Sequence, residues 1–173
     1  MSSSRKKAIV RKLSRDWVTG YVSADDFCRQ GTVEILDLSG KVILIPAVEI
    51  KWLCFVRDFN SGELNHPERL LRKTFAGRPR IDGVFVRLRL FDGDQIEGVA
   101  TNDRSLIAGD GLFLLPPDTR SNTQRLWIPA TTIAELEAVA VITSNARRKE
   151  AATPPRPAAT DSSDQPNLFP SQD

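Results

Sequence analysis

The sequence predicts an all-β protein made of two small antiparallel barrels in tandem. The pattern I-P-A-x-x-I-x-x-L-x-x-V occurs at 45–56 and again at 128–139, an offset of 83 residues. Upstream, residues 11–20 align with residues 89–98 at an offset of 78. Short apolar stretches separated by turn residues fill both copies. A repeat of this length indicates two copies of one supersecondary unit, and the short strands favour small barrels.

The second copy shows its strands most clearly. Residues 84–91 alternate apolar and polar side chains, the period-2 pattern of a half-buried strand. Asp-Gly-Asp at 92–94 predicts a turn, because glycine adopts positive φ without steric cost. Further strands are expected at 96–100, 111–115 and 125–128. Pro129 has no N–H to donate, so it ends the fourth strand before a short turn and a fifth strand around 136–140.

The first copy repeats this order. Strands are predicted at 9–13, 17–22, 32–36, 41–45 and 50–56, with Pro46 breaking the fourth. Five short strands within about 50 residues are typical of a small antiparallel barrel. Cys54 lies in an apolar run and is expected to be a small core residue.

These elements divide the chain into four parts. The first barrel occupies 1–59 and the second 83–143, and a linker at 60–82 joins them. Pro67 suits a first helical turn and Gly77 a helix stop, so the linker is predicted to hold a short amphipathic helix at about 67–76. Residues 144–173 are rich in Ala, Pro, Ser and Asp without periodicity and are expected to be a disordered tail.

Charge and cysteine content limit the functional classes. Residues 1–149 hold 23 Lys and Arg against 18 Asp and Glu, whereas residues 150–173 hold one Arg against four acids. The body is therefore mildly basic and the tail acidic. The two cysteines have no disulfide or metal-ligand spacing. The basic N-terminus is not followed by an apolar stretch, and no segment is long enough to span a membrane, so residence in the cytoplasm is expected.

The order of motifs in the second copy resembles the Sm-like and SH3-like small barrels. The resemblance rests on L-x-L-F-D-G at 88–93, I-x-G at 96–98 and G-L-F-L at 111–114. In the first copy Gly20 is kept, but Arg15 replaces the turn glycine. The resemblance implies the fold. Barrels of this kind bind RNA, DNA and protein alike, so it does not identify a ligand.

The chain from about residue 7 to 142 also resembles a bacterial family of uncharacterised proteins. The segments that carry this resemblance are K-W-x-x-F-V-R-D-F at 51–59 and P-P-D-T-R-S-N-T-Q at 116–124. That family has no assigned activity, so the resemblance implies a fold and no chemistry.

Enzymatic catalysis is not indicated. His66 is the single histidine and precedes a proline at a turn, and no Ser or Cys has a base nearby in sequence. No acidic cluster resembles a metal site. We therefore expect no catalytic residue, metal or cofactor. The sequence favours a non-enzymatic binding or adaptor protein that contacts proteins or peptides through its barrels and tail.

Binding of RNA or single-stranded DNA is the first alternative. Phosphate recognition needs clustered positive charge, and two groups of basic residues supply it. Two of them, Arg87 and Arg89, alternate on one strand and should share a face. The candidate residues are Arg11, Arg15, Arg69, Arg72, Lys73, Arg78, Arg80, Arg87 and Arg89.

The tail contains a second candidate contact, formed by Gln165, Leu168 and Phe169. These residues resemble the Q-x-x-L-F peptides with which bacterial proteins dock on the DNA polymerase sliding clamp. Two large apolar side chains in a polar tail suit a cleft on a partner protein. The expected partner is therefore a protein bound through the tail.

Two further readings stay open. Arg11-x-x-x-Arg15 and Asp37-x-Ser39 resemble the paired motifs of PilZ domains, which bind cyclic di-GMP, although Val42 stands where that motif needs glycine. The barrels should also leave exposed edge strands, which are compatible with a homo-oligomer.

Overall fold

The computed structural model describes residues 4–59, 62, 66–70, 72–118 and 120–143. Within these ranges the chain forms eleven strands and three single 3-10 turns, without an α-helix. Every strand pair is antiparallel. The predicted all-β class is confirmed.

The strands of each copy follow the predicted order. The first unit contains β1 (Arg5–Lys12), β2 (Trp17–Ser23), β3 (Cys28–Arg29), β4 (Thr32–Asp37), β5 (Val42–Pro46) and β6 (Ile50–Val56). The second unit contains β7 (Gly83–Leu90), β8 (Gln95–Ala100), β9 (Gly111–Leu114), β10 (Thr123–Pro129) and β11 (Ile133–Ile142). The 3-10 turns are Ala47–Glu49, Arg104–Leu106 and Ala130–Thr132.

Strand pairing joins the two units. The first sheet has the order β3-β4-β2-β1-β6-β10-β9, with β5 on the other side of β4, and the second has the order β11-β7-β8. A single bridge between Val99 and Leu115 links β8 to the end of β9. In each unit the last strand returns to the first, as β6 pairs with β1 and β11 with β7. The β6–β10 pair then places a strand of the second unit directly beside the first unit.

The cores of the two units share side chains across this seam. Trp127 of β10 lies in the core of the first unit, where its ring packs edge-to-face against Phe27 with centroids 5.1 Å apart. In return, Trp52 and Cys54 of β6 lie in the core of the second unit. Cys54 is fully buried, as predicted, and burial raises the pKa of its thiol well above the usual value. Strand β6 is therefore covered on both faces.

The first hairpin of each unit uses the same turn. Gly93 has a φ of 87° and its N–H donates to the Leu90 carbonyl. Arg15, the counterpart at offset 78, has a φ of 75° and donates to Lys12 in the same way. The first unit therefore holds an arginine in a left-handed conformation that glycine adopts more easily.

The predicted helix at about 67–76 is wrong. Arg69 has a φ of 50° and closes a tight turn, a conformation that an α-helix excludes. Glu68 is drawn into an ion pair with Arg11 of β1, and the Lys73 carbonyl accepts a hydrogen bond from the Glu97 amide of β8 at 2.7 Å. The described part of this segment forms a tight turn and bonds to neighbouring strands, so good capping residues did not produce a helix.

Candidate binding surfaces

The last strand of the second unit has an open edge. Strand β11 pairs with β7 at eight of its residues, and no described strand pairs with its other side. Its counterpart β6 has β1 on one side and β10 on the other. An unpaired edge presents backbone N–H and C=O groups that another strand can bind.

The missing neighbour leaves apolar side chains of β11 uncovered. Leu136 lies opposite Leu88, on the core side of the sheet, yet it is 42% exposed. Its counterpart Leu53 is 0% exposed, because β10 lies beside β6 and Trp127 opposes Leu53. Val141, opposite Val84 on the same face, is also exposed. The core-facing row of β11 is therefore an apolar strip that the second unit does not cover.

Strand β5 of the first unit is a second open edge. Strand β5 pairs with β4 alone among the described strands. Ile43 and Ile45 pack with the core, whereas Val42 and Leu44 point outward. Leu44 is 65% exposed, whereas its counterpart Trp127 is 2% exposed. Large apolar side chains on both open edges are typical of interaction surfaces.

The opposite face of β11 carries paired charges. Arg87 Nη1 lies 2.9 Å from Glu137, and its guanidinium also contacts Glu97 at 3.1 Å. Arg89 lies 2.8 Å from Glu135. Arg87 and Arg89 do share one face, but the neighbouring strand supplies an acid for each. Two arginines are matched by three carboxylates, so this patch carries no net positive charge for a phosphate.

Arg11 is buried and hydrogen-bonded within the protein, unlike most of the predicted nucleic-acid residues. Its guanidinium donates to both carboxylate oxygens of buried Glu68, at 3.0 and 2.8 Å from Nη2, and Nη1 donates to the Arg15 carbonyl at 2.8 Å. The pair ties the linker segment to β1. A buried arginine with its donors so occupied is a structural group and is not available to a ligand.

The other predicted basic residues fall into two sets. Lys73 pairs with Asp94 at 2.8 Å, and Arg78 reaches the Val141 carbonyl at 3.5 Å. Four of the nine candidates are thus in ion pairs with acids. Seven of the nine candidates are exposed, and they are Arg15, Arg69, Arg72, Arg78, Arg80, Arg87 and Arg89.

A cleft of about 790 Å³ at the seam is lined by further paired charges. Lys51 bonds to Asp92 and to Asp94, the latter at 2.7 Å, and its ammonium lies 4.9 Å from the centre of the Trp52 ring. Burial raises the pKa of Asp94, but hydrogen bonds from Lys51 and Lys73 outweigh it and leave the pKa below its usual value. This network joins β6 to the β7–β8 turn, and its charges largely neutralise each other.

The PilZ-like residues have structural roles. Asp37 Oδ1 accepts hydrogen bonds from the Ser39 N–H, the Ser39 hydroxyl and the Lys41 N–H, at 2.7 to 2.9 Å. These bonds hold the β4–β5 turn. Arg11 of the first motif is held by Glu68, whereas Arg15 of the same motif is exposed.

Several other expectations bear on chemistry and localisation. In the described part of the chain, no group of three or more His, Cys, Asp or Glu side chains is placed to hold a metal ion. No helix within the same residues has the length and apolar character to cross a membrane. Gln165, Leu168 and Phe169 lie outside the described residues, so the tail contact stays a prediction.

The sequence reasoning did not single out the edge residues Val42, Leu44 and Leu136. A signal was present in the repeat, because it makes β5 the counterpart of β10 and β11 the counterpart of β6. Strands β10 and β6 pair with each other, whereas their counterparts β5 and β11 lie at opposite ends of the strand order. Each counterpart must therefore pair with another molecule or stay open.

Comparisons with known proteins give a family and no activity. No curated protein and no solved structure matches the chain. Residues 4–140 match a family of unknown function (DUF6982). The match spans most of the chain and both repeat copies, and we conclude that the protein belongs to this family.

Proposed function

We propose that this protein is a non-enzymatic binding protein that takes up extended protein segments at its open strand edges. The observation that carries the proposal is the contrast between Leu53, fully covered by a neighbouring strand, and its exposed counterpart Leu136. Strand addition gives backbone hydrogen bonds for affinity and side-chain pockets for specificity.

The energetics suit reversible binding. An added strand beside β11 would cover the apolar strip at Leu136 and Val141. Burying their exposed area contributes about 2 kcal/mol, at roughly 25 cal/mol per Å² of apolar surface. Backbone hydrogen bonds along the ten residues of β11 add to this. After the cost of ordering the partner segment, we expect micromolar affinity.

Nucleic-acid binding has less support from the same geometry. Arg11, Arg87 and Arg89 are engaged by carboxylates, and their counter-charges lie within the protein. Sliding-clamp docking by the tail would add a second protein contact and is compatible with an adaptor role. Both remain predictions.

The proposal is tested with a peptide that has the sequence of residues 121–129, the strand that covers the equivalent edge of β6. Fluorescence anisotropy of the labelled peptide is measured against the full chain at low protein concentration. We expect micromolar binding that is lost in Leu136→Lys and kept in Ile107→Lys, a control at an exposed apolar residue away from both edges. Equal binding to Leu136→Lys, or no binding at all, would refute the proposal.

A further inference from the structure

The internal strand pair β6–β10 has a defined register. Because β11 and β5 are the repeat counterparts of β6 and β10, the same register predicts how these two open edges would pair with each other. Within the chain, Leu53 lies opposite Trp127 and Phe55 opposite Arg125. At the repeat offset of 83, Leu53 corresponds to Leu136 and Trp127 corresponds to Leu44. Both members of the transferred pair are exposed apolar residues, 42% and 65% respectively.

We propose that the occupant of the β11 edge is a second copy of this chain, whose β5 lies antiparallel beside β11 with Leu44 opposite Leu136. The same register places Val42 opposite Ala138. This inference rests on the proposed function and names its partner. Copies then join head to tail, each giving one β5 edge and one β11 edge.

The arrangement completes the second unit in the way that β10 completes the first. Trp127 enters the core of the first unit beside Phe27, and Leu53 is buried as a result. Among the described residues, none covers the core-facing strip of β11 in this way. Leu44 of a second copy supplies one, and the outward backbone groups of both edges become hydrogen-bonded.

A second copy fits better than an unrelated protein because this chain carries both halves of the interface. The strands occupy opposite ends of the pairing order, which runs from β5 through the β6–β10 seam to β11. The contact joins two different surfaces, so it is heterologous, and its repetition gives a closed ring or a filament.

Charge makes the transferred contact weaker than the internal one. The face of β6 that points away from the first unit buries Trp52 and Cys54 in the core of the second unit. Their counterparts on β11 are the charged residues Glu135 and Glu137. These carboxylates are already paired with Arg89 and Arg87, so they need no partner from the second copy. We therefore expect concentration-dependent assembly instead of a permanent oligomer.

Complementation between two blocked variants tests the inference on the full chain. Leu44→Lys disables the β5 edge and Leu136→Lys the β11 edge, while each leaves the other edge intact. By sedimentation velocity we expect the wild type to assemble with rising concentration, and each variant alone to self-associate at least about tenfold more weakly. An equimolar mixture of the two variants should form a heterodimer, and Ile107→Lys should behave as the wild type.

A cross-link reports the register. Directly opposite residues of antiparallel strands have the spacing of a disulfide. Val42→Cys mixed with Ala138→Cys should give an intermolecular disulfide under mild oxidation, and Lys41→Cys with Glu135→Cys should not. A wild type that stays monomeric at about 100 μM, or a mixture of the Lys variants that does not associate, would overturn the inference. If the 121–129 peptide still binds in that case, edge binding stands and the partner is another protein.

Discussion

Strands β6 and β11 carry one sequence pattern and meet two different environments. Both follow an Ile-Pro turn and a 3-10 turn, and both return to the first strand of their unit. Strand β6 has Trp52 and Cys54 at the positions where β11 has Glu135 and Glu137. The pattern I-x-x-L-x-x-V therefore specifies the unit, and the residues between its positions specify whether the outer face is buried or solvated.

The comparison extends to the arginines that precede each hairpin turn. Arg11 and Arg89 occupy the same repeat position, at offset 78. Arg11 is buried against Glu68 of the linker, whereas Arg89 is exposed against Glu135 of β11. The same repeat position is therefore buried in the first unit and exposed in the second.

Removal of the acidic partners of Arg11 and Arg89 should give the largest difference in stability between the two units. Glu68→Ala leaves Arg11 buried without its counter-charge, and we expect a loss of about 3–5 kcal/mol in the free energy of unfolding. Glu135→Ala removes an exposed ion pair and should change stability little. Urea denaturation followed by circular dichroism measures both. Replacing both buried partners, as in Arg11→Met with Glu68→Leu, should restore much of the loss, and equal losses for the two single variants would contradict the comparison.

Truncation of the equivalent leucines gives the next largest difference. Leu53→Ala opens a cavity in a packed core and should cost about 3 kcal/mol. Leu136→Ala removes a side chain that is already partly in water, so the cost should stay below about 1 kcal/mol at protein concentrations where the chain is monomeric. The midpoint of urea unfolding reports both values. A Leu136→Ala loss as large as that of Leu53→Ala would show that β11 is covered.

The seam network predicts a pH-dependent effect. Asp94 is bonded by Lys51 and Lys73, whereas its counterpart Asp16 accepts from the Ser14 hydroxyl and is exposed. The pKa of folded Asp94 lies below the reference value of 3.8, so its stabilisation is complete above pH 3.8 and is lost as the pH falls through the lower folded pKa. Asp94→Asn should therefore cost about 1 kcal/mol at pH 7, with allowance for solvent screening.

The cost of Asp94→Asn should shrink below pH 3.8 and vanish at strongly acidic pH. Asp16→Asn serves as the matched control and should have a smaller effect. Thermal unfolding across a pH series measures the difference. A cost for Asp94→Asn that does not vary between pH 7 and pH 2 would contradict the role of the Lys51 and Lys73 bonds.

Substitutions in the two hairpin turns should give small changes in stability of opposite sign. Gly93→Ala places a side chain at a φ of 87° and should cost about 1 kcal/mol. Arg15→Gly relieves a left-handed arginine, partly offset by the greater freedom of glycine in the unfolded chain, and should gain about 0.5 kcal/mol. Differential scanning calorimetry of both variants decides. A destabilising Arg15→Gly would mean that the arginine side chain stabilises its turn.

The sequence predicted ten of the eleven strands because the repeat and the period-2 pattern report local structure. It did not predict that the described residues of the linker are not helical, since Glu68 is held by Arg11, 57 residues away. Arg87 and Arg89 were predicted to share a face. Their acids were present at matching spacing on the strand expected to pair with them, so the neutralised surface was readable from the sequence in principle.

The β6–β10 pair was harder to predict because it joins strands about 70 residues apart, and the pairing of distant strands leaves no local pattern. One signal was the continuous apolar run at 52–56, which is typical of a strand buried on both faces. The open edges are recognised by comparing β6 and β10, which pair with each other, with their repeat counterparts β11 and β5, which do not. This comparison required the exposure of individual side chains, which the sequence does not give.

Backbone hydrogen exchange of the full chain tests the central claim most directly. At low concentration we expect the amides of β6 to be protected and those of β5 and β11 that face outward to exchange rapidly. Raising the concentration should protect β5 and β11 together, while the 121–129 peptide should protect β11. Equal protection of β6 and β11 in a dilute, monomeric sample would contradict the account.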